Sequence, residues 1–169
     1  MRIAAARLVA AGGARAPVSV VDCFCRVDHR PVVVLDDCIH HALRGAVDLH
    51  QGSWLVILNE SDGRPLARFT LAHELAHIVM GDVALGDDGR PGGSLSRRRG
   101  SPLPAGPTRE SACDTFAAEL LMPAPLIRQA WRRYPGVAAL ATRFDVPHRA
   151  MERRFAELGL VHQPKDSLR

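Results

Sequence analysis

One pentapeptide constrains this chain more than any other feature: His73-Glu74-Leu75-Ala76-His77. Residues at i and i+4 of a helix share a face about one turn apart, so both imidazoles can reach one zinc ion at about 2.1 Å. Glu74, directly after the first histidine, is badly placed to ligate alongside them and well placed to hydrogen-bond a water at the metal. That division suits hydrolysis, in which zinc acidifies the water and a carboxylate takes its proton as it attacks a carbonyl. With 8 His in the chain, shuffling produces the pattern about once in 75 sequences, so the motif needs support from its surroundings. Phe69, Leu71, Ala72, Leu75, Ala76, Ile78, Val79 and Met80 supply it by making the segment apolar nearly all round. Such a helix is buried, and buried polar groups need partners. A metal is one such partner.

A catalytic zinc takes a third protein ligand and leaves one position open. Glu110, on the next helical segment, is the best candidate, and Asp114 follows it at i+4 on the same face. Asp114 is placed to accept the other ring proton of a ligand histidine and so fix its tautomer. For both acids the competing reading is ordinary helix-surface charge.

Arg68-Phe69-Thr70-Leu71-Ala72-His73-Glu74-Leu75-Ala76-His77, followed by Glu110-Ser111-Ala112-Cys113-Asp114-Thr115-Phe116-Ala117-Ala118-Glu119-Leu120-Leu121-Met122-Pro123, resembles the ImmA/IrrE-type metallopeptidases. Weaker similarity runs from about Val18 to Leu160. The resemblance implies one catalytic zinc ion held by His73, His77 and Glu110, with Glu74 as general base. It implies an α+β fold with a thermolysin-like core, a small twisted antiparallel-rich sheet packed on the active-site helix. It also implies a protein substrate, commonly a helix-turn-helix transcriptional repressor whose cleavage relieves repression. The chain departs from the family pattern at Ala112, where a second acid is usual, at Ala76, where glycine is usual, and in the length of the segment after Gly81.

A chain of 169 residues with 47% hydrophobic content forms about one domain with a sizeable core. Its expected organisation is an N-terminal helix or extension over 1–16, a metallopeptidase core over 17–123 with a flexible insertion at 82–108, and a helical cap over 124–169. The insertion reading rests on Gly-Arg-Pro-Gly-Gly, Ser-Arg-Arg-Arg-Gly-Ser and Pro-Leu-Pro-Ala-Gly-Pro, which have little to bury. Net charge is +4, and the arginines are too scattered to define one basic face. No run approaches the ~18 apolar residues of a membrane span. Arg7 breaks the apolar stretch at the start and Arg15 stands where a leader would be cut, so a short amphipathic helix and a cytoplasmic protein are expected. Cys23, Cys25, Cys38 and Cys113 read as buried free thiols.

Between these landmarks, Val18 to Val27 reads as a helix with Val18, Val21 and Cys25 inward, and Pro31 to Leu35 reads as a strand. Ala46–Leu49 and Trp54–Asn59 read as strands joined at Gln51-Gly52-Ser53, the second offering an edge to an extended substrate. Helices are expected over Pro65–Met80, stopped by Gly81, and over Arg109–Met122, with Thr108 as N-cap. Further helices are expected over Leu126–Arg133, Val137–Phe144 and Pro147–Leu158. The last two have a helix-turn-helix cadence. A DNA reader built this way would aim Arg149 and Arg153 at a groove, but a cap on the catalytic core is the favoured reading and direct nucleic-acid binding is not expected. The competing function is a DNA- or partner-binding regulator with a structural or vestigial zinc site. Tyr134, His50 and His148 are candidates for stabilising an oxyanion, with nothing to choose among them, and a second metal at His40-His41 is disfavoured because adjacent side chains diverge.

Overall fold

Trp54-Leu55-Val56-Ile57-Leu58 is apolar at five consecutive positions, and such a strand is best accommodated between two neighbours. The computed structural model describes residues 2–11, 15–37, 44–81 and 107–160, and there this run forms the middle of a three-stranded sheet. β1 (Val32–Asp37), β2 (Gly45–His50) and β3 (Ser53–Asn59) lie in the order β1-β3-β2. β3 runs parallel to β1 and antiparallel to β2, with Val34 and Val47 opposite Val56 on its two sides. The sheet is therefore mixed where an antiparallel-rich one was expected, because the apolar third strand takes the central slot instead of extending the hairpin outward. Its position also overturns the expected substrate edge at Trp54–Asn59, since both hydrogen-bonding edges of β3 are already used.

Along β3 the pleat sends Trp54, Val56 and Leu58 into the core and leaves Leu55 and Ile57 half-buried on the other face. The core face carries α3 (Arg64–Val79). Pro65 stands in its first turn, where no amide partner is lost, and Gly81 ends it at φ +69°. Sheet and helix meet closely at Gly45, where a Cβ would stand 2.6 Å from Thr70 Cγ2 and 3.0 Å from the Ile57 carbonyl oxygen.

Six other helices are described: α1 (Arg2–Ala11), α2 (Val20–Asp28), α4 (Pro107–Leu121), α5 (Ala124–Trp131), α6 (Val137–Phe144) and α7 (His148–Glu157). The fold is α+β. Ser19 caps α2, whose buried face is Val20, Cys23 and Phe24, while Val21 and Cys25 are exposed. The expected stripe lost to the alternative one carrying Phe24, which buries more apolar area than a valine. Cys25 is accordingly not the buried thiol expected; Cys23 and Cys113 are.

α4 begins at Pro107, which places Thr108 inside the helix and not at its N-cap. Cys113, Phe116, Ala117, Leu120 and Leu121 form its buried stripe as read from their spacing. Residues 82–106 of the expected insertion, and Cys38, His40 and His41, lie outside the described residues.

At the C-terminal side, Leu140, Ala141 and Phe144 of α6 and Met151 and Phe155 of α7 are buried. Trp131 of α5 meets Phe155 edge-on at 4.9 Å. Arg68 ties this cap to α3: it donates to the Asp145 carbonyl and the Val18 carbonyl and pairs with the Asp145 carboxylate at 3.2 Å.

Candidate metal centre

The HExxH segment occupies the C-terminal half of α3, and the first turns of α4 lie against it. Nearly apolar surroundings keep the α3 segment inside, with Leu75 and Ala76 wholly buried and Glu74 and His77 at 7% and 8% exposure. α4 supplies the opposing polar groups because Glu110, Cys113 and Asp114, spaced i, i+3 and i+4, share its α3-facing side.

Two helices thus bring electron-pair donors to one place. His73 Nε2 and His77 Nε2 are 3.3 Å apart. The Glu110 carboxylate stands 3.3 Å from His73 Nε2 through one oxygen and 3.9 Å from His77 Nε2 through the other. On the far side of its ring, His73 Nδ1–H donates to Asp114 at 2.9 Å, which leaves Nε2 as the lone-pair nitrogen facing His77 and Glu110. The Cys113 thiol lies 3.6 Å from each ring nitrogen of His77. Donor atoms of His73, His77 and Cys113 all lie within 4.8 Å of one another, a group that could hold a metal ion.

Charge follows the same geometry. Burial resists a proton on His73, but the Asp114 hydrogen bond and the charges of Glu74, Asp114 and Glu110 together outweigh it, raising its pKa above the ordinary 6.5. The hydrogen bond from His73 holds the Asp114 carboxyl below 3.8 against the opposing effect of burial, helped by the charges of His73 and Arg153.

All five expected site residues, His73, Glu74, His77, Glu110 and Asp114, therefore fall at this α3–α4 contact. Sequence reading placed Cys113 only in the apolar stripe of α4; its i+3 spacing from Glu110 was the signal that it also faces the histidines. Of the oxyanion candidates, Tyr134 packs under the Arg143 guanidinium at 4.9 Å, His148 pairs with Glu152 at 3.4 Å, and His50 is exposed at the end of β2.

A sheet-backed helix bearing two histidines, faced by a second helix bearing a carboxylate, defines the class: an α+β protein with a candidate metal centre. Residues 24–156 match the model of the IrrE N-terminal-like domain, peptidase family M78, and the chain belongs to that family. No curated protein sequence matches it. Among solved structures it is similar to a Mycobacterium tuberculosis transcriptional regulator, with a TM-score of 0.61 and 16% identity. That match covers 97% of this chain and 47% of the regulator, so the chain spans about half the length of that protein; the likeness is one of fold. Among the described residues no helix is long and apolar enough to cross a membrane.

Proposed function

We propose that this chain is a zinc-dependent, site-specific endopeptidase acting on a regulatory protein, with a helix-turn-helix transcriptional repressor as the expected substrate class. The observation that carries the reading is the convergence of His73 Nε2, His77 Nε2 and the Glu110 carboxylate, with Glu74 buried on the same helix.

The donor set fits the ion. Tetrahedral zinc with bonds of about 2.0–2.1 Å holds two ligand atoms about 3.3 Å apart, which is the His73–His77 spacing and the shorter Glu110 spacing. His73, His77 and Glu110 would hold the ion, and when bound it would supply Lewis acidity that polarises the scissile carbonyl and acidifies water. Glu74 then serves as general base, accepting the proton of the attacking water and passing it to the leaving amine. Asp114 keeps His73 in the tautomer whose Nε2 faces the centre, so the donors are arranged before substrate arrives. Apolar packing around Glu74 excludes bulk water and strengthens its basicity toward a nearby proton.

The direct test uses the purified chain and the repressor encoded by the neighbouring reading frame. Glu74→Gln keeps about one zinc per chain and slows cleavage by about 10²–10⁴-fold. Cleavage that persists after the metal is stripped with a chelator, or that proceeds unchanged in the variant, overturns the mechanism.

A further inference from the structure

The histidine pair belongs to two overlapping donor sets. One is completed by Glu110. The other is completed by Cys113, whose Sγ is wholly buried and 3.6 Å from both His77 ring nitrogens, with a donor nitrogen of His73 also within 4.8 Å.

A buried cysteine is commonly just a small apolar filler, and the other side chains of the α4 stripe (Phe116, Ala117, Leu120 and Leu121) serve that purpose. Cys113 differs from them in what it touches. Tetrahedral zinc, with Zn–S near 2.3 Å and Zn–N near 2.0–2.1 Å, sets sulfur and nitrogen about 3.6 Å apart. The observed Sγ–Nε2 separation has that value. Backbone geometry favours it too, since Cys113 is one helical turn beyond Glu110 on the α4 side facing α3.

Resting on the metal-site reading above, we propose that Cys113 is itself a metal donor, so that the ion is held by both histidines together with the Cys113 sulfur. A thiol binds as its thiolate, so loading the site releases its proton. The soft donor biases the site toward zinc and cobalt over magnesium or calcium. It also occupies a coordination position that a water would otherwise take, which makes the sulfur-bound form the resting form and leaves Glu110 to hold the ion when that position opens.

Cobalt(II) added to the metal-free full-length protein separates this proposal from the reading beneath it. The expected spectrum has the visible bands of tetrahedral cobalt and a near-ultraviolet thiolate-to-cobalt charge-transfer band. Cys113→Ser and Cys113→Ala, the second keeping the buried position apolar, retain the visible bands and lose the near-ultraviolet one. Joint replacement of Cys23, Cys25 and Cys38 by serine leaves both. Visible bands without a charge-transfer band in the unmodified protein overturn the Cys113 donor and leave the metal site standing. A charge-transfer band that survives in both Cys113 variants assigns the sulfur elsewhere and overturns it as well. Failure to bind cobalt at all removes both readings.

Discussion

The α3–α4 pair and the α4–α7 contact both carry ionisable side chains into the apolar interior, and they dispose of them in opposite ways. Arg154 of α7 is 3% exposed, yet its guanidinium is met on every side by acceptors: both Glu119 oxygens, the Met122 carbonyl and Glu157. That is a cation sealed by the protein's own anions. Between α3 and the start of α4 the groups that meet are all of one kind, two imidazole nitrogens, a carboxylate and a sulfur, each with an electron pair to give. The first arrangement is complete as it stands and reads as architecture. The second has the composition of a ligand shell, and the difference separates a stabilising buried charge from a functional one.

Breaking the sealed cation gives the largest stability effect. Arg154→Ala leaves Glu119 partly buried beside an exposed Arg2 as its remaining salt-bridge partner and strips the Met122 carbonyl of its donor. Loss of one partner from a buried pair costs about 3–5 kcal/mol. Urea unfolding measures it, and zinc stoichiometry of the folded fraction stays unchanged. A loss below about 1 kcal/mol would place Arg154 with surface ion pairs and erase the contrast.

The donor shell is probed by Asp114→Asn, which keeps shape but removes the charge behind His73. Removing such a supporting carboxylate weakens metal binding about 10–100-fold. Competition against a chelator of known strength reads the change. Unaltered affinity would return Asp114 to the rank of a helix-surface acid.

Most of this contrast was legible from sequence on the α3–α4 side and hidden on the other. HExxH spacing fixes which atoms face one another because a single helix sets the geometry, and Asp114 followed from Glu110 by the same i+4 rule. Helix bounds were also close, with Val137–Phe144 recovered to the residue. The order β1-β3-β2 was not legible, because strand position depends on long-range burial and not on local turn chemistry. Nor were the ties made by Arg154 and Arg68, since each joins residues far apart in the chain and nothing in an isolated arginine foretells its partner. Cys113 was misjudged for a simpler reason: one side chain can belong to an apolar stripe and still present its sulfur to a neighbour.

The smallest effect tests whether His73 exchanges its proton for a metal. In the metal-free chain its raised pKa contributes stability that is fully present below 6.5 and is lost as pH rises through the folded value. Asp114, held below 3.8, contributes stability that is present above that value and is lost as pH falls through the folded one. The pair therefore favours the metal-free fold in the mildly acid range. Its size is at the surface-pair level of about 0–1 kcal/mol, because the Asp114 side chain is 42% exposed and screened. Metal binding needs the unprotonated imidazole, so the metal-loaded protein gains stability as pH rises over the same span. Thermal unfolding between about pH 5 and pH 8 should give slopes of opposite sign with and without zinc, and Asp114→Asn should flatten the metal-free one. Parallel slopes would mean that the proton on His73 and the ion do not compete for the same nitrogen, and the α3–α4 contact would then be as self-contained as the one around Arg154.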